Sequence, residues 1–561
     1  MKMKIVVIGA NAAGAKAAAK AKRMNPQAGI TVVDRGSFIS YGACGIPYFV
    51  ADTVKDETEL MSTPVGVVRD PAFFRKVKGV EVLIETEAVA IDRQNRKVSL
   101  LSTADGNSSV IEYDALILAT GSSPIIPPLE GRTLPGIITV KSIEDAILLK
   151  EQAVSGNRAC VVGAGLIGLE TVEALAGRGM QVTVVEVCGQ VLPGILDEEM
   201  ASLLEQHVRS KGVTVMTSCR VSGFTGTGQV TQVLTDQGEV ATDLVVLAIG
   251  ARPNVDLARN AGLIIGKTGA IAVDDRLRTS DPAIYACGDC CETVNLVTGA
   301  PLYAPLGSTA NKQGRVAAIN ATGGDATFAG VLGTAILKVF DFTAGKTGLT
   351  EGAARAAGYA VETVLSPAPD RAHFYPSAQP IALKLVADSA TGRLLGLQAV
   401  GPGAVDKRLD AAATAITFRA TVEQVSHLDL AYAPPFSAAM DNLIVAADIL
   451  KNKLAGHAKG ISPRQVKQML DDGDDFILLD VRSPAEHAAM RLAGAKLVPL
   501  GALREKLDSL PKDKEIVTFC KISLRGYEAQ KILNAAGFTK VRFLDGGILT
   551  WPYGVETGHT G

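Results

Sequence analysis

The stretch that decides the fold runs from Ala159 to Glu186 and reads ACVVGAGLIGLETVEALAGRGMQVTVVE. It predicts a buried strand, a glycine turn, a helix and a second strand. Its glycines Gly163, Gly165 and Gly168 have the G-x-G-x-x-G spacing. The first allows a tight turn, the second lets the backbone approach a pyrophosphate, and the third lets the helix pack closely on the strand. The stretch therefore predicts a dinucleotide-binding unit.

The end of the second strand predicts which dinucleotide is bound. Glu186 ends that strand, and Val187 and Cys188 follow, so no arginine is at hand to hold a phosphate. A carboxylate here accepts a hydrogen bond from the 2′-hydroxyl of NAD and repels the 2′-phosphate of NADP. We therefore expect NADH to be preferred, with NADPH less favoured. A later strand in residues 243–254 places Gly250 on the nucleotide side.

The N-terminal segment Lys4–Arg23, KIVVIGANAAGAKAAAKAKR, repeats the same plan. Gly9 and Gly14 keep their places, while Asn11 replaces the middle glycine. A second strand ends in Asp34, whose carboxylate can accept from a ribose hydroxyl. Two alternatives are a βαβ unit without a ligand and a signal peptide. The short apolar core, punctuated by glycine, favours the nucleotide fold over a signal peptide.

Two later strand ends complete a recognisable set. YDALILATGSSP occupies residues 113–124 and TSDPAIYACGDCCE occupies residues 279–292, and both end in small residues on which a flat cofactor can lie. In this order the segments resemble the FAD-dependent pyridine nucleotide–disulfide oxidoreductase family over about residues 1–450. The resemblance implies an α/β chain with two nested Rossmann-like domains, in which NADH reduces FAD.

The resemblance also implies a set of cofactor-binding residues. It assigns to FAD the residues Gly9, Ala12, Gly14, Asp34, Arg35, Ser40, Ala119, Thr120, Gly121 and Asp289. It assigns to NADH the residues Gly163, Gly165, Gly168, Glu186 and Gly250, with Glu170 near the nicotinamide.

Between the two nucleotide units, SYGACGIPY (residues 40–48) holds a single cysteine, Cys44, with no second cysteine before Cys160. It resembles the coenzyme A disulfide reductase branch of the family, which implies that Cys44 forms a mixed disulfide with a substrate thiol. The rival branches, NADH oxidase and peroxidase, take the lone cysteine through a sulfenate. Ala12 stands where those branches place a histidine, which disfavours peroxide chemistry. A structural role for a small buried thiol is the remaining alternative.

Coenzyme A carries phosphates, so its site is expected to be basic. Lys16, Lys20 and Arg23 lie at spacing i, i+4 and i+7 on one face of the first helix. A solvated helix face is the alternative interpretation. The resemblance places coenzyme A along this helix, near Ser40, Ala43 and Asn311, with Lys312 and Arg315 as plausible additions.

Residues 330–450 lack glycine turns and are similar to the family's α+β dimerisation domain, which implies a homodimer. In DLAYAPPFSAAMDN, the resemblance implies that Tyr432 of one subunit reaches the active site of the other. Packing before the Pro-Pro corner is the alternative role of Tyr432. Phe374 and Met440 depart from the family's tyrosine and lysine, which weakens the case for coenzyme A disulfide itself as the substrate.

After a linker in residues 452–465, the C-terminal part resembles a rhodanese domain. Cys520 would lie in a loop between a strand and a helix, where backbone amides can surround a thiolate and its sulfane sulfur. Arg525 would hold that loop or an anionic sulfur donor. Ser523 replaces the loop glycine of the family, so an inactive domain is the alternative. Asp480, Arg482 and Glu486 form the expected structural polar set.

Composition excludes several classes of partner. The chain has 561 residues, 20% charged, with a net charge of −2, so nothing calls for nucleic acid or a membrane surface. No apolar run approaches the ~20 residues that span a bilayer. Eight cysteines without framework spacing indicate a reducing, cytoplasmic setting. Cys290 and Cys291 invite a metal interpretation, but no other ligands converge, and we expect no metal.

Together these observations predict an NADH-dependent FAD enzyme that reduces coenzyme A persulfide, polysulfide or coenzyme A disulfide through Cys44, with sulfane sulfur supplied by Cys520. The alternatives are a water-forming NADH oxidase and an electron-transfer reductase. The expected domains are an FAD-binding domain in two segments, 1–150 and 255–325, an NAD(H)-binding domain at 151–254, a dimerisation domain at 326–452 and an α/β rhodanese domain at 456–561.

Overall fold

The computed structural model describes residues 2–558. Its internal contacts divide the chain into two compact units. The first unit contains the residues up to 187 together with 212–331, and the second contains 188–211 and the residues from 332 onward. The described residues include no helix long and apolar enough to cross a membrane.

The first sheet of the first unit is parallel and carries the N-terminal glycine turn. Ile8 pairs in register with Val33 and Leu118, and Leu118 pairs with Ala286, so these strands end at one edge of the sheet. Helices Ala12–Met24 and Gly307–Ala321 pack together beside it. Its strands lie in the order Ile284–Ala286, Ala115–Leu118, Lys4–Ile8, Gly29–Val33 and Glu81–Leu83.

The second parallel sheet has the same plan. Val162 pairs with Val185 and Leu247, so the residues after these strands meet at one edge, and helix Leu166–Gly177 follows the central strand. Its strands lie in the order Thr214–Met216, Gln181–Val185, Arg158–Val162, Leu244–Leu247 and Ile137–Thr139. Smaller antiparallel sheets pair Thr86–Asp92, Lys97–Ser102 and Ser108–Glu112, then Val221–Thr225, Gln232–Thr235 and Gly238–Ala241, and also Ser122–Pro124 with Ala251–Pro253. The shorter helices of this unit include Ile46–Val50, Glu57–Met61, Ile143–Gln152 and Asp256–Asn260.

The second unit begins with an antiparallel sheet covered by helices. Its centre contains Lys384, which is 3% exposed and pairs with the carboxylates of Asp197, Glu199 and Glu351. The strands lie in the order Ala335–Val339, Phe342–Gly348, Leu394–Gly401, Pro380–Asp388 and Val361–Pro369. The helices are Glu198–Ser210, Glu351–Ala356, Val405–Thr417, Val422–Ser426 and Asn442–Leu454.

The C-terminal part of the second unit is a parallel sheet with helices on both faces. Apolar clusters lie on either side of the sheet, one around Leu479 and Ile516 and the other around Leu478 and Val517. This alternation follows from the period of two along a strand. The strands lie in the order Gly460–Ile461, Val541–Leu544, Glu515–Phe519, Phe476–Asp480 and Lys496–Leu497, with helices Pro463–Asp472, Pro484–Ala489 and Leu524–Ala535.

Candidate active site

Two glycines of the first turn, Gly9 and Gly14, have no room for a side chain. Gly9 has φ +103°, and a Cβ on it would lie 2.1 Å from the carbonyl oxygen of Ala119. A Cβ on Gly14 would lie 1.8 Å from the carbonyl oxygen of Gly9. The helix therefore begins directly against the strand ends, which brings its N-terminal amides to the edge where a phosphate can bind.

Asp34 follows the neighbouring strand and closes this turn. Its Oδ2 accepts from the amide of Ala10 at 2.6 Å, and its Oδ1 accepts from the amide of Gly36 at 2.9 Å. Burial raises its pKa, although these amides oppose the shift. Arg35 is exposed beside it, and Ser40 is buried with a left-handed backbone, its amide donating to Ala10.

The adjoining strand end leaves open space for a cofactor. Gly121 has φ +69°, and a Cβ there would meet nothing within 4 Å. Thr120 is tied down, since its hydroxyl donates to the carbonyl of Asn254 at 2.7 Å. Ala12 is half-buried at the start of the first helix. The tight glycines beside an open backbone fit a flat dinucleotide such as FAD.

The second glycine turn has the same geometry. A Cβ on Gly163 would lie 2.5 Å from the Ala248 carbonyl oxygen, and one on Gly168 would lie 1.9 Å from that of Gly163. At Gly165 a Cβ would meet nothing within 4 Å. Packing therefore demands the outer two glycines, while the middle one leaves the backbone open to a ligand, as a pyrophosphate requires.

Glu186 lies buried at the end of the next strand, with 6% of its surface exposed. Its Oε2 accepts from the amide of Ala164 at 2.8 Å. That bond fixes the carboxylate at the turn, where the ribose of a bound dinucleotide would lie. Gly250 follows a neighbouring strand with φ +113°.

Cys44 is exposed, in a short turn Ala43–Gly45 that leads into helix Ile46–Val50. A Cβ on Gly307 would lie 3.9 Å from its Sγ, so the glycine keeps the sulfur accessible from that side. Partial desolvation raises the pKa of the Cys44 thiol, and the carboxylates of Glu170 and Asp289 raise it further. The protein alone therefore favours the neutral thiol.

Lys141 is the cation that opposes this shift in the pKa of Cys44. Its Nζ donates to Ser122 Oγ at 2.8 Å and lies 3.4 Å from Asp289 Oδ2, and Ser122 Oγ donates to the same Oδ2 at 2.9 Å. Lys141 lies in no recognisable sequence motif and was not predicted. Its partner Ser122 directly follows Ala119-Thr120-Gly121 at the end of a predicted strand, which is the nearest sequence signal.

Glu170 lies in the helix after the second glycine turn. Burial, and then the charge of Glu173, raises its pKa to about 7. Its charge also contributes to raising the pKa of Tyr48 and of Cys44. Near neutral pH, Glu170 therefore changes between its neutral and charged forms, and its charged form raises the pKa of Cys44.

Two helices of the first unit present a group of cations, here named the basic face. A Cβ on Gly314 would lie 2.4 Å from the carbonyl oxygen of Ala13, so the helices cross in close contact. Asn311 lies on the second helix and donates to the Gly307 carbonyl. Within residues 2–558 the members of the basic face make no ion pair, and they are Lys16, Lys20, Arg23, Lys312 and Arg315.

Aromatic and apolar side chains are exposed in the second unit. Tyr432 is 55% exposed, and Phe436 and Met440 follow it in the same segment with 68% and 51% exposed. Phe374 is 69% exposed. Together they give the dimerisation segment uncovered apolar surface.

Cys520 follows the central strand of the C-terminal sheet and is buried. The loop after it takes a left-handed turn at Ser523, with φ +86°, before helix Leu524–Ala535 begins. Arg525 binds Glu486 in a bidentate pair at 2.7 and 2.8 Å. That pairing lowers the pKa of Glu486 to about 2 and raises that of Arg525, to which Cys520 also contributes.

The other polar residues beside this loop are internally paired. Arg482 donates to both oxygens of Asp480, and His487 Nδ1 lies 2.8 Å from Asp480 Oδ2. Because Arg482 and His487 both pair with Asp480, Glu486 is left to hold Arg525, and this pairing was not predicted from the sequence.

Among residues 2–558, no group of three metal-ligating side chains is close enough to hold a metal.

The family model for pyridine nucleotide-disulphide oxidoreductases matches residues 3–304, and the model for the dimerisation domain of that family matches residues 334–444. The chain belongs to this family. A rhodanese-like domain model matches residues 462–552. The predicted family and fold class are confirmed, and the chain is an FAD- and NAD(P)H-dependent oxidoreductase with a C-terminal rhodanese domain.

Relatives cover most or all of this family member. The "NAD(P)H sulfur oxidoreductase (CoA-dependent)" of Pyrococcus furiosus is 38% identical, over 80% of this chain and 99% of its own length. The "NADH oxidase" of Methanocaldococcus jannaschii is 35% identical, over 81% of this chain and all of its own. The solved structure of an NAD-dependent persulfide reductase from A. fulgidus is 46% identical, covers 98% of this chain and 100% of its own, and has a TM-score of 0.93.

Proposed function

We propose that this oxidoreductase reduces coenzyme A persulfide, or a related polysulfide or disulfide, with NADH. The observation that carries the proposal is Cys44, an exposed thiol in the turn Ala43–Gly45 with no second cysteine in its segment, in a chain that also holds Cys520 in a rhodanese loop. The names of the P. furiosus and A. fulgidus relatives support the same substrate class.

The two glycine turns would hold the cofactors. FAD fits the first, with Gly9, Gly14, Asp34 and Asp289 around it, and NADH fits the second, with Glu186 at its ribose. When bound, FAD supplies to the substrate's sulfur–sulfur bond the electron pair that NADH provides. The remaining FAD and NADH residues assigned by resemblance belong to the same proposal.

Cys44 supplies the nucleophile. Its thiolate attacks the inner sulfur of a persulfide R–S–SH, which breaks the S–S bond, releases HS⁻ and leaves a mixed disulfide between Cys44 and R. Two electrons and a proton then regenerate the Cys44 thiolate and release RSH. Lys141 stabilises the thiolate, and protonation of Glu170 near pH 7 removes a charge that opposes it.

The basic face would hold coenzyme A. Its cations make no ion pairs within residues 2–558, so they can bind the 3′-phosphate and the pyrophosphate without first losing a partner. Ser40 and Ala43 lie in the segment that carries Cys44, which supports a binding mode with the thiol end of the ligand at that sulfur.

Cys520 would load the sulfur. Its thiolate attacks the sulfane sulfur of a donor such as thiosulfate, the S–S bond breaks, sulfite leaves and a Cys520 persulfide forms. Arg525, fixed by Glu486, holds the loop that carries this sulfur. A thiol acceptor such as coenzyme A then removes the sulfane sulfur as its own persulfide.

We also propose a homodimer in the cytoplasm. The exposed side chains of Tyr432, Phe436 and Met440 support a subunit interface, at which Tyr432 would complete the partner's site. Every cysteine among residues 2–558 is free, which fits a reducing compartment. The domain boundaries given above belong to this proposal.

NADH oxidase activity is the second candidate, because the M. jannaschii relative carries that name. Two features favour persulfide: Ala12 cannot transfer a proton, and the fused rhodanese domain delivers sulfur rather than oxygen. Anaerobic assay with NADH and coenzyme A persulfide distinguishes the candidates. Stoichiometric sulfide release without oxygen supports the proposal, whereas NADH oxidation that needs oxygen and ignores persulfide contradicts it.

A further inference from the structure

Within the second unit, one buried lysine pairs with a carboxylate of the dimerisation domain, Glu362, and with a carboxylate of the rhodanese domain, Asp545. Lys453, near the end of helix Asn442–Leu454, places its Nζ 2.8 Å from Asp545 Oδ2, and each side chain is 6% exposed. The same Nζ pairs with Glu362 at 3.0 Å and donates to the carbonyl of Thr363. Asp545 directly follows strand Val541–Leu544 and precedes residues 546–549, whose backbone bonds to that of Cys520 and Lys521.

Asp545 is fixed at a confined place. Its backbone amide donates to the carbonyl of Ile461 at 2.9 Å, and a Cβ on Gly460 would lie 2.6 Å from Oδ1. That Oδ1 is buried and has no hydrogen-bond partner among residues 2–558. Burial raises the pKa of Asp545, and Lys453 is the largest influence against it. The carboxylate therefore depends on Lys453 for its charge and its position.

The residues after Asp545 support the backbone of the Cys520 loop. Gly546 and Gly547 are both left-handed, at φ +76° and +61°, and a Cβ on Gly547 would lie 2.5 Å from the Cys520 carbonyl oxygen. The amide of Ile548 donates to that oxygen at 2.9 Å, and the amide of Leu549 donates to the carbonyl of Lys521 at 3.1 Å. Residues 545–549 thus act as a cradle for the loop.

We infer that Lys453, near the end of the helix that leads into the linker, is a positioning residue for the Cys520 loop, acting through Asp545 and the cradle. The inference deepens the proposed function, since it rests on Cys520 as the sulfur acceptor. Because the pair with Asp545 is buried, loss of one charge leaves the other without compensation, whereas loss of both leaves only Glu362 unpaired, and that carboxylate is 37% exposed to solvent. The cradle then shifts in the first case and keeps its place in the second.

The test compares Lys453→Met with the double variant Lys453→Met/Asp545→Asn in the full-length protein. The matched control is Lys451→Met, which removes a half-exposed lysine of the same helix paired with surface carboxylates. Sulfur transfer from thiosulfate to cyanide reports on Cys520, and hydrogen exchange of the peptides covering 520–525 and 545–550 reports on the cradle.

Lys453→Met is expected to lower kcat for sulfur transfer roughly tenfold to a hundredfold, because small misplacements of a reacting group cost that much. KM for thiosulfate should change by less than about twofold, since the substitution removes no group that contacts the donor. Exchange should rise in the two peptides and not elsewhere. In the double variant, kcat for sulfur transfer should recover to within about threefold of the wild-type value. The control Lys451→Met should have the wild-type kcat.

Unchanged exchange in Lys453→Met, exchange that rises throughout the chain, or a double variant as impaired as the single one would each overturn the inference. A wild-type protein without any sulfur transfer would contradict the proposed role of Cys520. The exchange measurement would still decide whether Lys453 positions the loop, so the two failures are distinguishable.

Discussion

Replacing Glu186 by alanine is expected to remove the preference for NADH over NADPH. The carboxylate is 6% exposed and held by the amide of Ala164 at 2.8 Å, so it cannot turn away from a 2′-phosphate. Placing a phosphate against this desolvated charge costs at least ~1.4 kcal/mol, or about tenfold in kcat/KM. The lost ribose hydrogen bond, charge-assisted and worth about 1.5–3 kcal/mol, lowers kcat/KM for NADH by roughly tenfold to a hundredfold.

The wild-type enzyme should therefore favour NADH by at least about tenfold, and the ratio should approach one in Glu186→Ala. Anaerobic stopped-flow measurement of flavin bleaching with each nucleotide gives both constants. Glu151→Ala, which removes an exposed carboxylate from another helix, is the control and should keep the wild-type ratio. Equal kcat/KM for the two nucleotides in the wild type would refute the reasoning.

The other predictions concern sulfur and protons. Cys520→Ser should abolish sulfur transfer from thiosulfate but leave flavin reduction by NADH and turnover of small persulfides near normal; loss of either would contradict separate half-reactions. Neutralising the basic face should raise KM for coenzyme A persulfide by about tenfold or more and leave KM for inorganic polysulfide unchanged. An equal rise in both KM values would contradict a coenzyme A site and indicate a general loss of folding. Lys141→Met should raise the pH midpoint of Cys44 alkylation, because the lysine lowers the pKa of the thiol. Glu170→Gln should lower that midpoint, because Glu170 is ionised above about pH 7 and its charge raises the pKa of the thiol. Shifts of the two variants in the same direction would contradict the assigned charges.

The glycine turns could be predicted from sequence because their constraint is local. Gly9 and Gly163 need a left-handed backbone, and the Cβ atoms absent from Gly14 and Gly168 would strike the preceding turn. These positions require glycine, so the spacing of the glycines can be recognised from the sequence alone. The fold class follows from the same spacing, since a strand, a glycine turn and a helix determine a parallel sheet.

The electrostatics of the site could not be predicted in this way. Lys141 contacts Asp289 because the residues after strand Ile137–Thr139 lie close to those after strand Ile284–Ala286. These strands are far apart in the sequence, and no motif near Lys141 predicts the contact. The Lys453–Asp545 pair likewise joins residues far apart in the chain. Arg525 was expected to hold the loop or a donor, and its pairing with Glu486 depends on where two helices begin. Long-range contacts of single residues leave no periodic pattern.

The central claim, that Cys44 is the nucleophile that cleaves the persulfide, is tested most directly by Cys44→Ser in an anaerobic assay with NADH and coenzyme A persulfide. Serine cannot form the mixed disulfide, while hydride transfer from NADH needs no thiol. The account predicts that the variant's flavin bleaches at the wild-type rate and that no sulfide is released. Sulfide release at the wild-type rate from Cys44→Ser would contradict the account and leave Cys44 a structural residue.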